Sequence, residues 1–185
     1  MEKNLKQELR NPGLLDFRQL HRSDFPLLHR WLAEPHVVEW WHEPLDLPAI
    51  HAKYNPRIDG TEPTRVFIIE HDQRAIGWIQ WYHWRDYPAH ATLLGAGPAS
   101  AGIDLAIGEM AMLGAGLGPK IIREFLDAFV FGDPAITAII CDPEERNIRS
   151  IRAFEKAGFG KVRTVQLAGE AFTRSVMSLP RPPHG

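Results

Sequence analysis

The chain has 185 residues, 44% hydrophobic and 24% charged, with a formal net charge of −2. That balance suits one globular domain with a sizeable core and gives no global basic field for nucleic acid. Its one cysteine, Cys141, excludes an intrachain disulfide and a cysteine-rich zinc site, and the nine histidines show no metal-binding spacing.

In chain order, Met1–Gly13 is polar, lacks the apolar stretch of a secretory signal, and reads as a frayed tail. No apolar run is long enough to span a bilayer, so no membrane is expected and a reducing, cytoplasmic setting fits. Leu14–Leu20 alternates as a short strand. Ser23 reads as the cap of a helix to about Ala33, with Asp24 and Pro26 in its first turn. Asp46 opens a second short helix through Lys53. Arg65–Glu70 and Ala75–Trp84, joined by a turn at Asp72-Gln73, form a hairpin. Trp78, Trp81, Tyr82 and Trp84 alternate imperfectly, so some of them face outward, as a pocket wall or an oligomer contact. Tyr87–Ser100 reads as a loop from its Pro and Gly content.

Gly102–Gly108 is a short strand with Asp104 in its middle. A helix follows from about Gly118 to Phe131, its Ile121, Ile122, Phe125, Leu126 and Phe129 at helical spacing. Ala135–Cys141 reads as a central apolar strand. Asn147 caps the next helix, and Gly158 suits its C′ position. Gly160–Leu167 and Phe172–Leu179 close the chain as a strand pair. This order predicts a mixed α/β sheet with helices on both faces. Residues 14–185 read as a single domain.

The most informative stretch is Leu113-Gly114-Ala115-Gly116-Leu117-Gly118-Pro119-Lys120, between a strand and a helix. Alternate glycines let backbone N–H groups converge at the positive end of a helix, an arrangement that binds phosphate or pyrophosphate. The turn lacks a Gly-Lys-Ser/Thr ending, so it is no P-loop. Hairpins precede it, unlike the turn of a dinucleotide fold. Taken alone it reads as a tight turn more readily than as a phosphate site.

With Ile107-Gly108-Glu109 ahead of it, this turn resembles the acetyl-CoA signature of the GNAT N-acetyltransferases. Asn147 and Ile151-Arg152-Ala153-Phe154-Glu155-Lys156-Ala157-Gly158-Phe159 resemble the second signature. The likeness extends to the aminoglycoside 6′-N-acetyltransferases through Val38-Glu39-Trp40-Trp41, Tyr54, Gly102-Ile103-Asp104 and Asp142-Pro143. It implies the GNAT fold, a mixed and mostly antiparallel sheet with helices on both faces, and acetyl-CoA as co-substrate. It implies a cofactor site of Ile107, Glu109, Gly114, Ala115, Gly116, Leu117, Gly118, Pro119, Lys120 and Asn147. Asp104 and Asp142 line the amine pocket, and Trp41 and Tyr54 hold the sugar rings. The acceptor is a small-molecule amine, a polycationic aminoglycoside, and the protein a monomer or homodimer conferring resistance.

The residue types agree with that chemistry. A polycation calls for carboxylates, with Glu39, Glu43 and Glu170 as further contacts. A carboxylate beside the amine takes its proton, and Asp104 is the expected base. A backbone N–H near Glu109 would polarise the thioester carbonyl. Phe154 stands where relatives carry a tyrosine that protonates the departing thiolate. Read without the resemblance, Asp104 is a structural strand carboxylate before it is a base and Cys141 a core side chain before it is a nucleophile, while Asp142 reads also as a turn residue and Lys120 equally as a solvated lysine. Two other activities stay open: acylation of a hydroxylysine-type amine in siderophore synthesis, where relatives carry His in place of Asp104, and coenzyme A binding without turnover.

Overall fold

A computed structural model describes residues 13–43 and 45–182. The expected tail at 1–13 therefore lies outside the described residues except for Gly13. The strands are β1 (Leu15–Gln19), β2 (Arg65–His71), β3 (Arg74–His83), β4 (Ser100–Ile107), β5 (Ala138–Cys141), β6 (Gly160–Gln166) and β7 (Thr173–Pro180). The helices are α1 (Phe25–Leu32), α2 (Pro35–Val38), α3 (Leu47–Ile58), α4 (Pro88–Leu94), α5 (Leu117–Phe125) and α6 (Ile148–Ala157). A π-helical segment, Leu126–Val130, extends α5.

The strands form one seven-stranded sheet in the order β1-β2-β3-β4-β5-β7-β6. Every neighbouring pair is antiparallel except β4 and β5. Both faces are covered. Phe67, Ile69, Ile79 and Ile103 pack under α5 and α6, whereas Val66, Ile68 and Trp78 pack against Phe25, Leu28, Trp31 and Ile50. The continuous apolar run of β2 follows from burial on both sides. The β2–β3 turn places Asp72 and Gln73 at φ 50° and 62°, the two-residue turn whose twist suits a hairpin.

The parallel pair is the feature that shapes the site. β4 and β5 are in register only at Ser100–Ala138 and Ala101–Ile139. Beyond that point β4 stays paired with β3 as far as Ile107, but its other edge leaves β5. A wedge-shaped gap opens in the middle of the sheet.

Several local expectations are revised. Segment 87–100 contains α4, begun by Pro88 and ended by Gly95 in the left-handed region, with Ala91 and Leu94 buried. Ser23 caps nothing: the entry to α1 is a 3-10 turn over Arg22–Asp24, and the Asp24 carboxylate accepts the His21 N–H at 2.9 Å. β5 starts at Ala138, because Ile136 is turned back onto the Asp133 carbonyl at 3.1 Å. Trp78, Trp81 and Trp84 are all buried and Tyr82 is half-buried, so none of the four is exposed.

Candidate active site

Asp104 lies on β4 directly across from Gln80 on β3. The Gln80 amide donates to Asp104 Oδ2 at 2.8 Å, while its oxygen accepts from Arg57 Nη1, also at 2.8 Å. Arg57 is held by Glu62, and Glu62 accepts from the Tyr87 hydroxyl at 2.5 Å. The chain of bonds fixes which face of the Gln80 amide meets the carboxylate. Burial pushes the Asp104 carboxyl above the usual aspartate range. The Gln80 hydrogen bond opposes that rise, and the neighbouring Asp142 charge adds to it.

Asp142 follows the last residue of β5, across the mouth of the gap. Its Oδ2 lies 3.1 Å from His90 Nε2 and 3.4 Å from Arg174 Nη1. The hydrogen bond to Asp142 holds His90 toward its charged form. Tyr82 reaches the same place because Gly102, its cross-strand partner, has no side chain: a Cβ there would sit 2.5 Å from the ring. Burial and the two aspartates push the Tyr82 phenol well up.

Asp104 and Asp142 separate two lobes of one cleft. The first, about 390 Å³, includes Trp40, Trp41, Glu43, Lys53, Glu144 and Phe154 in its walls. The second, about 290 Å³, has Thr64, Tyr82, Trp84, Tyr87 and His90. Trp41 stands edge-on to Trp78, ring centroids 4.9 Å apart. Glu43 is tied to Lys53 and to the Trp41 indole.

At the far end of β4, Gly114 and Gly116 take φ values of 77° and 76°, which a side chain would strain, and a Cβ at either would meet nothing within 4 Å. Among the described residues, the N–H groups of Gly114, Ala115 and Gly116 make no backbone hydrogen bond. They sit at the start of α5, whose dipole is positive there. Leu117 roots the turn in the core, and Gly118 lets α5 approach Ala153 of α6. The open edge of β4 leads from this cradle toward Asp104. The arrangement fits a long co-substrate with a diphosphate at one end and amides along its length. Asn147 lines the first lobe, and its Oδ1 accepts from Ser150 N at 3.0 Å, capping α6.

Four of the expected site residues have partners within the chain. Tyr54 is fully buried, its hydroxyl 3.3 Å from Glu43 Oε2, so it braces Glu43 rather than facing a sugar. Glu170 is not a free rim carboxylate: it grips Arg174 through two bonds of 2.7 and 2.8 Å. Lys120 turns to the Gly13 carbonyl at 2.9 Å and to Glu124 at 3.7 Å. Glu109 accepts from Arg30 and from Trp31 Nε1, and its N–H joins that of Gly108 on the Ile76 carbonyl, so neither group points at a thioester. Ile107 keeps its place on the β4 edge, though its carbonyl is 2.9 Å from His36 Nε2. Gln80, His90 and Arg174 were not foreseen.

The Cys141 thiol is buried, which pushes its pKa well up and favours the core reading over a nucleophile. Among the described residues, no cluster of three or more ligating side chains could hold a metal, and no helix is long and apolar enough to cross a membrane.

Comparison with known proteins agrees with this geometry. The model of the acetyltransferase (GNAT) domain matches residues 21–167. An aminoglycoside N(6′)-acetyltransferase type 1 of Klebsiella pneumoniae is 32% identical over 160 residues, 80% of this chain and 75% of that protein. A lysine N-acyltransferase MbtK of Mycobacterium sp. (strain MCS) is 26% identical over 136 residues, 74% of this chain and 55% of that protein. The crystal structure of aminoglycoside acetyltransferase AAC(6′)-Ib with coenzyme A and kanamycin superposes with a TM-score of 0.76 at 30% identity, covering 91% of this chain and 95% of that one. The chain therefore belongs to the GNAT acetyltransferase family and is an acetyl-CoA-dependent N-acetyltransferase.

Proposed function

We propose that the enzyme acetylates a primary amine of an amino sugar, at the 6′-amino position of an aminoglycoside, and so gives antibiotic resistance. The carrying observation is the Asp104 carboxylate, held by Gln80 beside Asp142 where the β4–β5 gap meets the cleft. The kanamycin complex of the related enzyme supports the choice of acceptor.

In this reading the amides of 114–118 hold the diphosphate of coenzyme A, and the open edge of β4 up to Ile107 pairs with its pantetheine. Pro119 fixes the first turn of α5, and Asn147 lies alongside. Bound acetyl-CoA supplies an acetyl thioester that needs no covalent enzyme intermediate. Asp104 takes the proton of the acceptor ammonium, directly or through water, and leaves a neutral nitrogen. That nitrogen bonds the acetyl carbon as the carbon–sulfur bond breaks, and its surplus proton passes to water, leaving the amide and the thiolate. Much of the rate comes from holding the two reactants together. Trp41 walls the acceptor, and Asp142 orients it. Phe154 brings no proton to the sulfur. A thiol of pKa near 8.5 leaves as thiolate at pH 7 for about 2 kcal/mol, which water can meet.

The test is thiol release from acetyl-CoA in the presence of kanamycin, with the acetylated position read by NMR, and kanamycin susceptibility of bacteria making the protein. Acetylation at the 6′ nitrogen with raised resistance is expected. Coenzyme A binding without thiol release on any amine would overturn the reading, and preferential turnover of hydroxylysine would replace it.

A further inference from the structure

Four carboxylates face the two lobes: Glu43, Asp104, Asp142 and Glu144. Three of them already have a cation from this chain. Lys53 pairs with Glu43. Arg174 and His90 pair with Asp142. Arg146 and His42 stand 2.7 and 2.6 Å from Glu144. The Glu43, Asp142 and Glu144 side chains are only 12%, 8% and 5% exposed, while Lys53, His90 and Arg146 are 34%, 39% and 58% exposed, so it is the carboxylate end of each pair that is shielded.

Asp104 differs. Its direct partner is the neutral Gln80 amide, and Arg57 meets the far side of that amide rather than the carboxylate. Glu170 at the rim is taken up by Arg174, and Glu62 behind the second lobe by Arg57. Among the described residues, the cleft thus carries one carboxylate without a directly bonded cation. A second ammonium entering it would have to displace Lys53, Arg146, Arg174 or a charged histidine, exchanging one cation for another with no net gain. The remaining lining is mostly apolar, aromatic or hydroxylic: Trp40, Trp41, Ile103 and Leu105 in one lobe, Tyr82, Trp84, Tyr87 and Thr64 in the other. Such walls suit the carbon face and hydroxyls of an uncharged sugar ring.

Resting on the reading that an amino sugar is acetylated beside Asp104, we infer that the cleft recognises one ammonium group only, so that it reads an aminoglycoside through the ring bearing the reacting amine and accepts a mono-amino sugar about as well as the polycation.

The experiment compares kcat/KM for kanamycin and for methyl 6-amino-6-deoxyglucoside at saturating acetyl-CoA, across about 50 to 300 mM NaCl, a range that alters screening of exposed charges. The mono-amine is expected within about tenfold of kanamycin, a difference under about 1.4 kcal/mol. Both should lose rate with salt at the same shallow slope. Arg174→Gln frees Glu170 and leaves Asp142 with His90 alone, and should shift the ratio toward kanamycin by about tenfold or more. Arg174→Lys should keep the wild-type ratio, and coenzyme A calorimetry reports whether each variant is folded. A wild-type preference for kanamycin above about a hundredfold with a steep salt slope would overturn the inference, as would an unchanged ratio in folded Arg174→Gln. If neither sugar turns over but another amine does, the function proposed above fails. The salt slopes for mono- and diamine forms of that acceptor then decide the charge count: equal and shallow supports one ammonium, steeper for the diamine rejects it.

Discussion

Replacing Asp104 with Asn separates the roles of that side chain. Asn has the same outline and keeps an oxygen for the Gln80 amide, so the bond at 2.8 Å survives and only the charge is lost. A positioned general base contributes about 10²–10⁴ in rate. At about 1.36 kcal/mol per tenfold, the variant should lose about 3–5 kcal/mol of transition-state stabilisation. Coenzyme A affinity should hold, because the glycine cradle is untouched. Stability should move the other way. The folded chain raises the Asp104 carboxyl above its ordinary 3.8, so it holds that proton more tightly than the unfolded chain does. The associated stability is complete below the unfolded value and is lost as pH rises through the folded one. Asn never ionises and escapes that loss. At pH 8 Asp104→Asn should melt at or above wild type, with the difference vanishing near pH 3. Steady-state kinetics from pH 5 to 9, calorimetry with coenzyme A and thermal melts at the two pH values form the assay. Activity within about threefold of wild type would refute the base assignment. A variant that melts lower at pH 8 only would refute the account of the buried charge.

Gln80→Leu removes the bond that holds the Asp104 carboxyl down, so the acid limb of kcat/KM should move to higher pH as kcat falls. An unmoved limb would reduce Gln80 to a structural role. Gly116→Ala forces a Cβ into a left-handed backbone with no neighbour within 4 Å, so calorimetric unfolding should show a loss of about 1–2 kcal/mol from conformation alone. Tyr54→Phe deletes the hydroxyl bonded to Glu43 and should lower stability by about 1 kcal/mol while raising the acceptor KM more than that of acetyl-CoA. Cys141 is 3% exposed and its thiol is held protonated, so mass spectrometry should find it unmodified by iodoacetamide at pH 8 until the protein is denatured.

The hairpin and the helices at 117 and 148 were legible because their apolar residues repeat at the period of the element they form. Helix α4 was not, because Pro88 and Gly95 read as loop punctuation. In the structure the same residues are its start and stop marks. Asp104 and Asp142 were singled out through the family resemblance, since on the residues alone one reads as a strand carboxylate and the other as a turn residue. The partners of Tyr54, Lys120 and Glu170 were not legible, because spacing gives a side chain's helix or turn but not the group it meets. Gln80 left a usable trace, a polar residue in the apolar stretch Trp-Ile-Gln-Trp, where burial requires a partner; Arg174, between Thr173 and Ser175, left none. His90 had no such trace, since its role depends on a helix that the sequence did not announce.

With only two rungs between β4 and β5, the sheet is mechanically two plates joined along one short seam. One plate is β1–β4 and the other β5–β7, with α5 and α6 packed together across the divide. Anything lodged in the wedge acts as a splint between them. Occupancy at a hundred times Kd would then add about 2.7 kcal/mol to the resistance of the whole assembly to unfolding. The enzyme should therefore be sturdiest when its cellular supply of acyl donor is high and most easily degraded when that supply runs out.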